Sequence, residues 1–247
     1  MRLLHFIFGL MAYAAFNAVF VYLAGFLANV YVPKSIDFPQ VGVPLFQSLG
    51  IDTLLMLLFA VHHSVASRPF FKAWLTRHVP AHLERSVYVL VASLLLALIM
   101  GLWQPILGEL WRVENVAGVW MIQMVFIVAL LSPLAASFQI DHYDLFGMRQ
   151  VYCHMRGLPY APPRFDERGM YKVVRHPIMV GTMVAFWAVP VMTWGHFLWA
   201  AFMSAYIFIG IFLEERDMLT TLGEPYGLYR KRVPMLVPLI RRSVEER

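Results

Sequence analysis

MYKVVRHPIMVGTMVAFWAVPVMTW, residues 170–194, sets Lys172, Arg175 and His176 directly against an apolar run, with Pro177 at the junction. Charges in that position either mark where a membrane ends or hold a polar group there. Proline suits the first turn of a helix, where its missing N–H costs nothing, so a helix is predicted to begin near residue 177. The unpaired N–H groups of such a first turn attract carboxylates and phosphates. Arg175 adds a fixed cation, and His176 a ring that can stack or donate. Gly181, one turn in, leaves room for a ligand or another helix against the backbone.

The rest of the chain sets the context. Of 247 residues, 60% are hydrophobic and 14% charged, whereas a soluble domain is about one quarter charged. The apolar residues fall in long runs, the signature of membrane spans. Six candidate spans are read at about 3–31, 45–66, 86–107, 116–137, 178–193 and 197–216. The fifth is short for a span of ~20 residues and contains Pro190, so it is expected to be kinked or sheltered by protein. The fold class is therefore an all-α integral membrane protein, a bundle of five to six transmembrane helices. The first run far exceeds a signal-peptide core of ~7–15 residues and reads as a retained anchor.

The net charge of +5 would raise nucleic acid as a partner for a soluble protein, but here the cations sit between spans. Arg68, Lys72, Arg77 and Arg85 follow the second span. Arg149, Arg156, Arg164, Arg168, Lys172 and Arg175 precede the fifth, and Arg216, Arg230, Lys231, Arg232, Arg241 and Arg242 follow the sixth. The positive-inside rule then sets both termini in the cytoplasm of a bacterial inner membrane. No nucleic-acid or protein partner is expected, only the bilayer and a small substrate. Cys153 is the only cysteine, which excludes a disulfide within the chain. With His154 it makes too few ligands for a metal, so no metal is expected and the thiol reads as reduced and inert.

Ionisable residues gather in four stretches near the predicted cytoplasmic face: VHHSVASRP (61–69), FQIDHYDLFGMRQ (138–150), YKVVRHP (171–177) and EERDMLTTLGEPYGLYRKRVP (214–234). Residues at a span end can simply snorkel; four stretches on one face point to a site. Spans five and six, joined by WGH (194–196), form an antiparallel hairpin, which brings Glu214 or Glu215 beside Arg175 and His176. Adjacent helical residues point about 100° apart, so one of the two glutamates faces inward. The pairing is either a structural ion pair or half of a grip on a zwitterionic amino acid. Tyr226 and Tyr229 serve as interfacial anchors or cover a bound ring system, and the Arg230–Arg232 run suits anionic lipid head groups.

The pattern VRHP…G, then EER, then G-x-x-Y-x-x-Y-x-x-x-V-P-x-x-x-P resembles the isoprenylcysteine carboxyl methyltransferase superfamily of integral-membrane enzymes. Met179 stands where the common family form has tyrosine. The upstream stretch FQIDHYDLFGMRQVYCHMRGLPYAPPRF together with VHHSVASRP resembles the methanethiol S-methyltransferases and their NnrU-like relatives. The resemblance covers about residues 45–240. It implies S-adenosyl-L-methionine as cofactor, held by Tyr171, Arg175, His176, Pro177, Gly181, Glu214, Glu215, Tyr226 and Tyr229 at a cytoplasm-facing site. It also implies methylation of methanethiol to dimethyl sulfide, with hydrogen sulfide as a second acceptor. The chain is expected to form one membrane domain, with N-terminal helices over 1–137 and the S-adenosylmethionine-binding core over 138–247.

Methyl transfer from a sulfonium is an in-line displacement, and the thiolate is the nucleophile. His142 with Asp141 is the candidate base, because a neutral imidazole accepts a proton near physiological pH. His63, with His62, is the second candidate. A cationic sulfonium also favours the thiolate by Coulomb attraction. The competing readings are another acceptor, an isoprenylcysteine or a phospholipid, and a haem- or metal-handling NnrU-like protein using His62, His63, His142, His154 and His176. A membrane reductase has no glycine-rich phosphate loop to support it.

Overall fold

A computed structural model describes residues 1–39, 42–163 and 165–238. Arg164, Arg241 and Arg242 of the basic flanks lie outside the described residues, as do positions 40 and 41 of the loop after the first span. Among the described residues, five helical segments are long and apolar enough to cross a membrane. They are α1 (Arg2–Ala28), α2 (Leu45–Ala66), α4 (Glu84–Leu102) with its leading turn Ala81–Leu83, α5 (Val116–Ile140) and α9 (Trp194–Leu222). Between and after them lie the short helices α3 (Pro69–Leu75), α6 (His142–Leu145), α7 (Met148–Arg156), α8 (Pro177–Trp187) and α10 (Glu224–Arg232). Two short strands, β1 (Glu109–Arg112) and β2 (Val191–Thr193), pair with each other. The chain is an all-α integral membrane protein. Apolar side chains such as Leu54, Val61, Trp120, Met121, Val128, Ile209 and Phe212 are exposed on the long helices, which a bilayer tolerates and water does not.

The predicted fifth span is the short one. Helix α8 has 11 residues, about 16 Å at 1.5 Å per residue, roughly half of a bilayer core. It ends at Trp187 without a kink, because the residue before Pro190 is driven out of helical conformation. Residues 188–193 continue in non-helical form with Val189 and Met192 buried. Irregular backbone at membrane depth requires that protein cover. Helix α9 begins at Trp194, so WGH is the start of the next helix rather than its connection.

The chain divides into two compact units. Among the described residues, the first holds 1–39, 42–110, 141–163 and 192–196, hence α1 to α4, α6 and α7. Here α1 packs on α4 and α7, and Gly9 lies so close that an added Cβ would stand 2.6 Å from Val151. Loop carbonyls are tied down by side chains, as where Trp103 Nε1 donates to the Ile36 carbonyl at 3.0 Å. The fully buried Asp52 accepts from the Gln104 backbone N–H at 2.9 Å.

Among the described residues, the second unit holds 111–140, 165–191 and 197–238, and its main contact is α5 on α8. Gly181 makes that contact possible. A Cβ there would meet the Ala129 carbonyl oxygen and Pro133 Cδ, each at 2.8 Å, as well as the Ser132 hydroxyl. Of the two approaches that Gly181 allows, the one made is by α5. Gly181→Ala is therefore expected to destabilise the protein by about 1–3 kcal/mol through overpacking, read as a lowered melting temperature in detergent. An unchanged melting temperature would mean that α5 and α8 separate at little cost. Along the other face of α8, Phe186 stands edge-on to Trp199 and Trp187 to Phe197, at 6.1 and 5.8 Å between ring centres. The indole N–H of Trp187 donates to Ser204 at 3.0 Å.

Candidate functional site

The second unit concentrates its charge where α8 begins. Pro177 occupies the first turn and His176 is the N-cap. The two residues before the helix pair with the chain that follows α10: the Arg175 N–H donates to the Pro234 carbonyl at 2.9 Å and the His176 N–H to Met235 at 3.3 Å. This backbone pairing delivers the Arg175 side chain to the C-terminal end of α10. There Nη1 donates to the carbonyls of Arg230 and Val233 at 3.0 and 2.6 Å. A cation on the last carbonyls of a helix also meets the negative end of its dipole.

Glu215 lies at the centre. Its side chain is 4% exposed and receives Arg175 Nε at 2.6 Å, His176 Nε2 at 3.1 Å and Arg230 Nε at 3.0 Å. A buried carboxylate is tolerated only when its lone pairs are satisfied, and here three donors converge on two oxygens. Glu214, one position earlier, points elsewhere. Its side chain is 40% exposed, with Oε2 3.8 Å from His176 Nδ1. Of the two glutamates, Glu215 is the inward-facing one.

Three tyrosines surround this cluster. Burial pushes the Tyr226 phenol up to about 12, with the carboxylates of Glu215 and Glu214 adding to the shift. Tyr171 and Tyr229 are likewise raised, by burial first, then by Glu214 for Tyr171 and by Tyr226 for Tyr229. All three remain neutral hydrogen-bond donors at physiological pH. Tyr229 donates to the Tyr171 carbonyl at 2.7 Å, while Tyr226, Tyr229 and Val233 are buried together against Met218, Leu219 and Leu222. Phe165 stands edge-on to both tyrosines. They bind α10 to the end of α9 and are not exposed interfacial anchors. The basic run after them pairs within the protein: Arg230 with Glu215 at 3.0 Å and Arg232 with Glu167 at 2.7 Å.

The first unit carries the other predicted residues. Helix α5 ends at Ile140, and Asp141 turns the chain with φ +140°, a region L-residues rarely occupy. The strain is offset by two contacts of its carboxylate, which accepts from the Asp144 backbone N–H at 3.0 Å and from Arg149 at 2.5 Å. Asp141 is thus a cap and an ion-pair partner, and it acts on His142 only through its field. His142 is 2% exposed. Its Nε2 is 2.7 Å from the Tyr13 hydroxyl, and Phe146 and Tyr143 flank the ring. Burial lowers its pKa, with Asp141 opposing. Asp144 is raised by burial and is held by the Tyr160 hydroxyl at 2.9 Å. His63, near the end of α2, stacks on Phe59 and meets Tyr88 of α4, each at 5.3 Å. Beside it a cavity of about 240 Å³ is lined by His62, Ala66, Phe71, Leu75, Val87, Tyr88 and Val91. His62 Nδ1 is buried there without a hydrogen-bond partner.

Tyr13 and Arg230 were not among the residues the sequence singled out as ligands or catalysts. Tyr13 meets His142 across 129 positions, and nothing in a lipid-facing helix announces such a contact. Arg230 carried a local signal: it lies four residues after Tyr226, hence on the same face of α10.

These features define an integral-membrane protein whose second unit holds a buried carboxylate ringed by cations where its last apolar helices and their tail converge. Over 250 residues the chain is 42% identical to methanethiol S-methyltransferase 2 of Bradyrhizobium diazoefficiens, covering 100% of this chain and 95% of that one. It is 42% identical over 237 residues to methanethiol S-methyltransferase of Mycobacterium tuberculosis, covering 96% and 97%. Nurim of Sus scrofa is 30% identical over 184 residues, covering 71% and 68%. No family model and no solved structure matches the chain. The chain belongs to the methanethiol S-methyltransferase family.

Proposed function

We propose that the chain transfers the methyl group of S-adenosylmethionine to methanethiol, giving dimethyl sulfide and S-adenosylhomocysteine, with hydrogen sulfide as a second acceptor. Family membership supports the reaction, and the charge arrangement around Glu215 supports the donor. The observation that carries the latter is a pair of accessible, opposite charges flanking one buried carboxylate: Glu214 at 40% and Arg230 at 38% side-chain exposure. A zwitterionic amino acid presents an ammonium and a carboxylate, and that pair complements both. Glu215 positions Arg175, His176 and Arg230, and Tyr171 adds a neutral phenol near Glu214. Tyr226, Tyr229, Pro177 and Gly181 hold the frame by packing. Bound there, S-adenosylmethionine supplies a methyl group on a cationic sulfur.

Thiol activation is the protein's own task. Even a cysteine thiol, with a pKa of ~8.5, is mostly protonated at neutral pH, a small alkyl thiol is a weaker acid still, and the thiolate is the nucleophile. His142, kept neutral by burial, is the proton acceptor in this reading, with Tyr13 on its Nε2 and Asp141 fixing the turn that presents it. His63 is the alternative base. Methanethiol is small and apolar enough to arrive from the bilayer. The basic residues flanking α2, α8 and α9 support a cytoplasmic location of both termini and an inner-membrane setting.

Headspace gas chromatography tests the reaction directly. Purified protein given methyl-labelled S-adenosylmethionine and methanethiol is expected to release labelled dimethyl sulfide in proportion to enzyme. Labelled product with a phospholipid or isoprenylcysteine acceptor and none with methanethiol would replace the acceptor.

A further inference from the structure

We propose that His5, His82 and His154 form a binding site for a transition-metal cation of the zinc class, which staples α1, the turn leading into α4, and α7. The three residues come from well-separated parts of the chain and belong to the same compact unit. Their ring nitrogens converge: His5 Nδ1 stands 2.9 Å from His82 Nε2 and 3.4 Å from His154 Nε2. One ligating nitrogen from each residue lies within 4.8 Å of the other two. Nitrogens around one tetrahedral zinc ion, bonded at ~2.05 Å, are ~3.3 Å apart, so the observed spacing is that of a shared ion within a few tenths of an ångström for two of the pairs.

Chemistry favours the same reading. Three imidazoles without a carboxylate or thiolate among them suit zinc, copper, nickel or iron and not calcium or magnesium. All three rings are half-buried, and each neutral imidazole presents one lone pair and one N–H. A proton shared among them satisfies one pair at a time, whereas a single cation satisfies all three. The rings of His82 and His154 lie nearly parallel, 3.5 Å apart at 10°. For one ion to lie in the plane of every ring, one of these two must turn about its second side-chain torsion, a soft twofold rotation. Three protein ligands leave a fourth position for water or an anion.

The site would clamp helix α7, whose N-terminal side carries the Asp141–Gly147 segment. Metal bound only by the native state adds its binding free energy to folding. Full-length protein, purified in detergent without a polyhistidine tag, is expected to retain about one zinc per chain by elemental analysis. Chelator should remove it and lower the melting temperature, and Zn²⁺ should restore it. Co²⁺ added to the stripped protein should give the visible ligand-field bands of a tetrahedral site. His82→Ala and His154→Ala should each weaken Zn²⁺ binding by at least ~100-fold and abolish the bands, with both variants melting like chelated wild type. His78→Ala, a substitution of an exposed histidine outside the cluster, should change neither. No retained metal together with no Co²⁺ bands in wild type overturns the proposal, as do bands that persist when His82→Ala and His154→Ala are combined.

Discussion

Glu215→Ala is expected to abolish S-adenosylmethionine binding in calorimetry while Glu214→Ala weakens it. The difference follows from what each carboxylate holds. Glu215 is the common acceptor for Arg175, His176 and Arg230. Removing it leaves the Arg175 guanidinium, 8% exposed, with only carbonyl partners. Breaking one side of a buried ion pair costs about 3–5 kcal/mol, part of which appears as lost stability and part as a disordered site. Glu215→Gln separates the two. It retains the volume and one acceptor, so a protein that folds and still fails to bind assigns the loss to charge. Glu214, 40% exposed, contributes a solvent-screened interaction of the smaller surface kind. Arg230→Ala should fall between them, because Arg230 is 38% exposed and Glu215 keeps its other two donors. Unchanged affinity in both glutamate variants would remove the carboxylates from the donor site and leave the cluster as a structural pin for α10.

Much of this geometry could be read in advance, and its limits are physical. Hydropathy reports spans because a bilayer demands about 20 apolar residues, and the five long helices follow it. The fifth run, expected to be short and kinked or sheltered by protein, is the 11-residue α8 followed by the non-helical residues 188–193, with Val189 and Met192 buried. The meeting of Arg175 with a glutamate was legible because consecutive spans must return to the same face, and helical geometry required that one glutamate turn away. What stayed hidden depends on contacts without a local period. The backbone pairing of residues 175–176 with 234–235 sets the Arg175 guanidinium on α10, yet Pro234 reads in sequence only as a helix stop. Tyr13 beside His142 and His5 beside His82 and His154 unite segments far apart in the chain. Asp141 read as the partner of His142 because they are neighbours, but its strained turn directs the carboxylate to Arg149 instead.

His142→Gln should slow methyl transfer by about 10²–10⁴-fold, the range of a lost general base, with little change in S-adenosylmethionine affinity. The deficit should be largest at low pH. There the free thiol is almost entirely protonated, and the variant depends on whatever thiolate exists. Methanethiol is a weaker acid than a cysteine thiol at ~8.5, so thiolate becomes plentiful only well above that pH, and there the two rates should approach each other. In the wild type, burial holds the His142 pKa below its ordinary value and Asp141 only partly opposes this. The base thus remains unprotonated into mildly acidic solution, and the acid limb of the rate profile should lie below pH ~6.5. Stability follows the same sign. The unfolded chain takes up a proton at His142 near pH ~6.5 while the native protein resists it, so the wild type loses stability as pH falls below that value. Glutamine does not titrate and should flatten that part of the curve while still reaching the Tyr13 hydroxyl. Tyr13→Phe offers the independent check: it leaves the imidazole in place but removes the 2.7 Å contact on Nε2, and should shift the acid limb without eliminating it. A His142→Gln enzyme with the wild-type pH–rate profile would reject His142 as the base and transfer the role to His63, whose own substitution would then carry the low-pH deficit.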